Sequence, residues 1–258
     1  MNDAPLAPSV PRILARGDGA AIAYHKTPGK SPGVVFLSGF MSDMTGGKAL
    51  FVEERCKARG QACLRFDYFG CGQSSGAFTD GTIGRWAEDT LAVLDELTKG
   101  PQVLIGSSMG GWIMLLAALA RPDRVAGLIG IAPAPDFTED ILINEMTADQ
   151  KATLERDGVV YVDSPYGPEP TPFTQALIDD GQRHLVLRRK MPLTCPVRII
   201  HGMDDSDVPW PTSLQISQML KSDDVEIQFV KTGDHRLSRP RDLDRLGRTL
   251  DSLLDSLT

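Results

Sequence analysis

Between an apolar run ending at residue 106 and an amphipathic stretch opening at 109, the chain reads Gly106-Ser107-Ser108-Met109-Gly110-Gly111. A serine centred in G-x-S-x-G at a strand-to-helix junction sits on a strained turn that lifts its hydroxyl clear of the sheet. The backbones two residues to either side crowd one another there, and Gly106 and Gly110 supply the room. A hydroxyl is a weak nucleophile at neutral pH. It needs a general base, and the base needs a carboxylate to fix its tautomer and stabilise the imidazolium.

Four histidines compete for the role of base. His25 ends an early hairpin, His184 falls in a long irregular interval, and His201 opens the tight segment His201-Gly202-Met203. His235, within Gly233-Asp234-His235-Arg236, follows the last predicted strand and precedes the last helix, on the side where the strand ends gather. It is the expected base. The acid is sought in the loop from His201 to Pro209, where Gly202 lets the chain turn and Val208-Pro209 fixes the entry to the next helix. Asp205 is preferred, with Asp204 and Asp207 as the alternatives, read as exposed carboxylates or a helix N-terminal charge. Negative charge on a tetrahedral intermediate requires two N–H donors. Met109, directly after the serine, supplies one; Phe40, in Ser38-Gly39-Phe40-Met41-Ser42, is chosen for the other, although its ring serves equally as a pocket wall. With a serine to carry a covalent intermediate and backbone N–H groups to hold the charge, the chemistry calls for no metal and no organic cofactor.

Short continuous apolar runs alternate with amphipathic stretches to position these residues. Residues 33–37, 62–66, 103–106 and 125–131 read as buried strands, followed at 48–59, 83–97 and 109–120 by helices. Such a pattern implies an α/β fold, a mostly parallel sheet with helices on both faces. Residues 12–16 and 20–26, around Gly17-Asp18-Gly19, predict an antiparallel hairpin at the sheet edge. The next convincing strand after 131 is 196–200, an interval of about 60 residues, rich in proline, with a helical patch at 173–187. We read residues 134–192 as a lid inserted in a single domain spanning 1–258. Phe137, Ile141, Leu142, Met146, Tyr161 and Phe173 are expected either to line an acyl pocket or to pack the lid onto the domain. A helix near 211–220, a strand at 225–230 and a helix at 240–257 complete the chain.

Composition narrows the function further. The chain has 258 residues, 41% hydrophobic and 24% charged, and its formal charge of −7 disfavours gripping a phosphate backbone, so nucleic acid is not expected as a partner. No stretch approaches the roughly 20 apolar residues of a membrane span. Cys56, Cys63, Cys71 and Cys195 form no CxxC pair and have no histidine at metal-ligand spacing, which leaves them as reduced thiols. The opening MNDAPLAPSVPR lacks the basic and apolar regions of a secretory signal. The expected setting is cytoplasmic, or the mitochondrial matrix where a presequence has been removed.

With these residues in place, the chain resembles the serine α/β-hydrolases, whose triads run in the order Ser108, Asp205, His235. Arg65-Phe66-Asp67-Tyr68-Phe69-Gly70-Cys71-Gly72-Gln73-Ser74 resembles the R-x-D-x-x-G-x-G-x-S loop common in that fold. More narrowly, Phe36 to Phe40, Gly106 to Trp112, His201 to Trp210 and the Asp234-His235-Arg236 segment are similar to the mitochondrial palmitoyl-protein thioesterase and acyl-glucuronide esterase subfamily. Ser38 departs from the His or Pro that many hydrolases carry before the glycine. The resemblance implies hydrolysis of acyl esters or thioesters of small molecules or S-acylated proteins. An acyltransferase, a carbon-carbon bond hydrolase and a non-catalytic ligand-binding module are the alternatives.

Overall fold

The computed structural model describes residues 10–164 and 167–257, so the first nine residues of the N-terminal segment read above lie outside the described residues. The apolar runs must serve two faces at once, and their residues divide accordingly. In β3 (Lys30–Leu37), Val34 and Phe36 join one core while Val35 and Leu37 join the other. In β5 (Gln102–Ser107), Val103 and Ile105 face one side and Leu104 the other, and Ile129 and Leu128 divide likewise in β6 (Val125–Ile131). A strand covered on both faces favours apolar residues at successive positions, hence the nearly continuous runs.

Eight strands form one sheet in the order β1 (Arg12–Ala15), β2 (Ala21–Thr27), β4 (Gln61–Phe66), β3, β5, β6, β9 (Val197–Gly202) and β10 (Val225–Val230). The edge hairpin, β1 and β2, is antiparallel, and β2 also pairs antiparallel with β4. All other pairs are parallel, with β9 and β10 closing the far edge. Helices α1 (Gly47–Arg59) and α8 (Pro240–Ser256) cover one face; α2 (Ile83–Ala92), α3 (Met109–Ala120) and α7 (Pro211–Met219) cover the other. In α8, Leu246, Leu250, Leu253 and Leu254 recur at helical spacing and are buried. The expected helix over 83–97 differs at its end. It passes at Val93–Leu97 into a wider π turn, where Arg124 Nη2 and Thr98 Oγ1 both donate to the carbonyl of Leu94.

The 134–192 insertion is more structured than its prolines suggest. A π turn at Thr138–Leu142 runs through α4 (Ile143–Glu145) to α5 (Ala148–Asp157), then an antiparallel hairpin of β7 (Val159–Val162) and β8 (Thr171–Thr174), then α6 (Gln175–Arg183). Phe173, expected in a helix, lies in β8. Pro172 is accommodated opposite Tyr161 because a two-stranded hairpin has only edges. Two buried carboxylates fasten the insertion. Asp180 accepts from the N–H of Gly84 at the start of α2. Asp136, fully buried, accepts from the N–H groups of Val186 and Leu187 at 2.8 and 2.9 Å and so ties its entry to its exit. Asp136→Ala would leave two buried donors unsatisfied, an expected loss of about 2–4 kcal/mol and a melting temperature lower by roughly 5–10 °C. Thermal unfolding followed by circular dichroism checks this, with Asp136→Asn, which restores one acceptor, expected to fall between.

All four cysteines are free; Cys56, Cys63 and Cys71 are buried and Cys195 half-buried. The Cys63 thiol is pushed well up by its hydrogen bond with Cys56 and by burial, and Cys71 is pushed up to about 12, chiefly by burial and then by the Asp67 carboxylate. Burial raises Cys195 as well.

Candidate active site

Parallel pairing brings the strand ends to one edge. Leu37 pairs with Gly106, Ser107 with Ile131, Ile131 with Ile200 and Gly202 with Val230. Loops leaving β3, β5, β9 and β10 therefore emerge side by side, and these carry Phe40, Ser108, Asp205 and His235.

Ser108 joins β5 to α3 with φ 54° and ψ −122°, a conformation that L-residues seldom adopt. The turn is held by Ser108 N–H donating to Ile131, and by the N–H groups of Gly111 and Ala134 donating to the Ser108 carbonyl. Its tightness explains the flanking glycines. A Cβ on Gly106 would lie 2.3 Å from the Gly110 carbonyl oxygen, and one on Gly110 would lie 2.2 Å from that of Leu37.

The loops bearing Asp205 and His235 are bound to each other. Asp204 N–H donates to Gly233, Met203 N–H to Val230, and a Cβ on Gly202 would lie 2.2 Å from the Gly233 oxygen. Across this seam His235 Nδ1 stands 2.8 Å from Asp205 Oδ2, and His235 Nε2 stands 2.9 Å from Ser108 Oγ. A carboxylate at Nδ1 requires the proton there, so Nε2 presents its lone pair and accepts from the Ser108 hydroxyl. Asp204 is exposed and the Asp207 carboxylate accepts from Ser206 Oγ at 3.1 Å, while Asp205 stands beside His235.

Asp205 has a second histidine, one of the four that compete for the role of base. His201, fully buried on β9, places Nε2 3.2 Å from Asp205 Oδ2 and 3.0 Å from the Val208 carbonyl. Both neighbours are acceptors, so Nε2 carries the proton and Nδ1 accepts from Ser213 Oγ at 2.6 Å. The N–H groups of Asp207 and Val208 donate to Asp205 Oδ1 at 2.9 and 2.8 Å. Burial alone would raise the Asp205 carboxyl, but the hydrogen bonds from His201, His235 and Val208 outweigh it and hold the group well below the usual carboxylate range. A histidine four residues before an aspartate was the available signal, since the turn between them folds one back onto the other.

Phe40 lies at the centre of an aromatic group. Its ring stacks on Phe173 at 5.3 Å and meets Phe78, Trp86 and Phe137 edge-on at 4.9, 5.9 and 5.8 Å. Phe137 also meets Trp112 edge-on. The insertion thus packs onto the loop after β3 through Phe137 and Phe173. Ile141 instead lines a separate cavity of about 350 Å³ with Pro135, Asp140, Leu187, Arg188, Pro209, Thr212 and Gln215. Three of the expected lining residues are placed elsewhere. Met146 is taken into the insertion's own small core with Leu154, Val160 and Ile178, and Leu142 packs against it. Tyr161 is 58% exposed, because strand alternation turns it outward once Val160 points in. Met109, buried, opens α3, where first-turn N–H groups have no intrahelical acceptor.

A serine, an imidazole and a carboxylate linked in this way can transfer the hydroxyl proton to the imidazole as the oxygen attacks an acyl carbon. The sequence family described as the alpha/beta hydrolase fold matches residues 32–164. The chain belongs to the α/β-hydrolases. It is similar to human palmitoyl-protein thioesterase ABHD10, mitochondrial, with 43% identity over 95% of this chain and 80% of that protein. The solved structure of mouse alpha/beta hydrolase domain-containing protein 10 superposes with a TM-score of 0.89 and 40% identity, covering 97% of this chain and 100% of that one. A hydrolase structure from Agrobacterium vitis, named as putative, also reaches a TM-score of 0.89 at 40% identity, covering 93% and 96%. Among the described residues of this α/β-hydrolase, no helix is long and apolar enough to cross a membrane.

Proposed function

We propose that this α/β-hydrolase is a serine hydrolase that cleaves acyl esters and acyl thioesters through an acyl-serine intermediate. The observation that carries the reading is the unbroken hydrogen-bonded chain from Ser108 Oγ through His235 to Asp205. Ser108 Oγ attacks the acyl carbon as its proton passes to His235 Nε2, and the carbonyl oxygen takes the negative charge. The N–H groups of Met109 and Phe40 hold that oxygen. On collapse the carbon–sulfur or carbon–oxygen bond breaks, and His235 returns the proton to the departing thiol or alcohol. Water then gives a proton to His235 and attacks the acyl-serine; the bond from the acyl carbon to Ser108 Oγ breaks, His235 passes the proton to Oγ, and the acid leaves with Ser108 restored.

The similarity to a palmitoyl-protein thioesterase favours long acyl chains on sulfur. Phe137 and Phe173, on a lid formed by the insertion, are apolar partners for such a chain. We infer a reducing compartment, cytoplasmic or the mitochondrial matrix, where free thiols persist. The test is a chain-length series of p-nitrophenyl esters and S-acyl-cysteine thioesters, with acid release in plain water as the readout. Preference for long-chain thioesters is expected. Activity confined to short esters would overturn the depalmitoylating role but keep the esterase. Acyl transfer to added alcohol in place of acid release would favour the transferase alternative, and folded protein without turnover would favour a binding module.

A further inference from the structure

The R-x-D-x-x-G-x-G-x-S segment takes no part in the triad, yet its two charged residues reach the loop that carries Phe40. Met44, fully buried at the far end of that loop, is gripped by both of its backbone groups. Its N–H donates to Asp67 Oδ1 at 2.7 Å, and its carbonyl accepts from Arg65 Nη1 at 2.9 Å. Each grip is itself fixed. Asp67 Oδ2 accepts from Gln73 N–H at 2.8 Å, and the Asp67 carbonyl accepts from Ser74 Oγ at 2.7 Å. Gly72 passes so close, at φ 49°, that a Cβ there would lie 2.2 Å from Asp67 Oδ2, which accounts for the second glycine of the segment. Arg65 Nε donates to Glu53 Oε2 on α1 at 2.9 Å.

The near end of the loop is held as firmly. A Cβ on Gly39 would stand 3.2 Å from the Ser107 carbonyl oxygen, and Gly110 is packed against the carbonyls of Leu37 and Ser38. Between the two anchors Ser38 Oγ donates to the Asp43 carbonyl at 3.2 Å, a bond that His or Pro at that position could not make in the same way. Phe40 thus hangs between the serine turn on one side and Met44 on the other.

Resting on the serine-hydrolase reading above, we propose that Asp67 and Arg65 are positioning residues that clamp Met44 and thereby set the Phe40 N–H at the height of the developing oxyanion. They touch no substrate; they act through the loop. A hydrogen-bond donor displaced by about 1 Å can cost on the order of 100-fold in rate.

The test compares wild type with Asp67→Asn and Arg65→Lys. Asp67→Asn cannot accept from both Met44 and Gln73, because one oxygen becomes an NH₂ group. Turnover number should fall about 10–100-fold with KM nearly unchanged. The decisive readout is the adduct with a carbon-labelled alkyl trifluoromethyl ketone, in which Ser108 Oγ bonds to the carbonyl carbon, its proton passes to His235, and the carbonyl oxygen becomes an oxyanion. Its titration by NMR reports the oxyanion hole directly. We expect the adduct to need a pH about one unit higher to ionise in Asp67→Asn, equivalent to a tenfold loss of oxyanion stabilisation, and a smaller rise in Arg65→Lys. Folded variants whose adduct ionises as in wild type, a defect confined to KM, or failure of both variants to fold would each overturn the proposal. Ser108-independent turnover would instead overturn the hydrolase reading on which it rests.

Discussion

Ser108→Ala is expected to lower turnover of acyl esters and thioesters by roughly 10⁵-fold or more, while the protein remains folded. The loss is large because the hydroxyl is the atom that bonds to the acyl carbon, and nothing else in the chain of contacts can replace it. Alanine keeps the side-chain stub at the same backbone angles, so the turn between β5 and α3 loses only the bond between Oγ and His235 Nε2. Residual rate would come from binding and from the Met109 and Phe40 N–H groups acting on attack by water. Steady-state assays with intact-protein mass spectrometry check both halves. Wild type should show the acyl adduct mass at early times, and the alanine variant should show none. Wild-type rates in Ser108→Ala would remove the nucleophile assignment altogether.

Asp205→Asn is the second large effect, expected at about 10⁴-fold in turnover with Asp204→Asn nearly silent. The reason is a count of donors. Asp205 receives N–H groups from Asp207 and Val208 on one oxygen and from His235 and His201 on the other. An amide has one acceptor oxygen and one NH₂. If the oxygen stays with the two backbone groups, the NH₂ faces His235 Nδ1 and forces the imidazole proton onto Nε2, where it can no longer accept from Ser108. The same substitution carries a stability signature. Because the folded carboxyl is held below its ordinary range, its contribution is fully present above the unfolded value near 3.9 and is lost as pH falls through the folded value. The gap in melting temperature between wild type and Asp205→Asn should therefore shrink as the pH is lowered from about 5 toward 2. A gap that widens on acidification would place a different group beside His235.

The parallel sheet is legible because strands buried on both faces are mostly apolar along their length, and the serine turn because its crowding demands glycine at 106 and 110. The order of elements then placed His235 and the 201–209 loop at the same sheet edge. What spacing leaves open is orientation over a few ångströms. Asp204 and Asp205 are adjacent in sequence, and only the way the turn folds under His201 sends Asp205 inward. The β7–β8 hairpin was hidden by Pro168, Pro170 and Pro172, residues that ordinarily interrupt a ladder. The places of Tyr161, Met146 and Leu142 follow from the same hairpin, whose alternation turns Tyr161 out and sends Val160 into the small core that Met146 and Leu142 join.

The state of the thiols has a meaning for the chemistry proposed. A protein that handles acyl thioesters is surrounded by activated acyl groups, and a thiolate on its own surface would capture them by transthioesterification. Cys56, Cys63 and Cys71 are sealed inside, and the thiols of Cys63, Cys71 and Cys195 are all held toward the protonated form. On the proposed mechanism, acyl groups are directed to the Ser108 hydroxyl, which is hydrogen-bonded to His235 and whose adduct water can clear. Burial of Cys56, Cys63 and Cys71 in the core would then also disfavour self-acylation at those sulfurs, a dead end that would build up with each encounter.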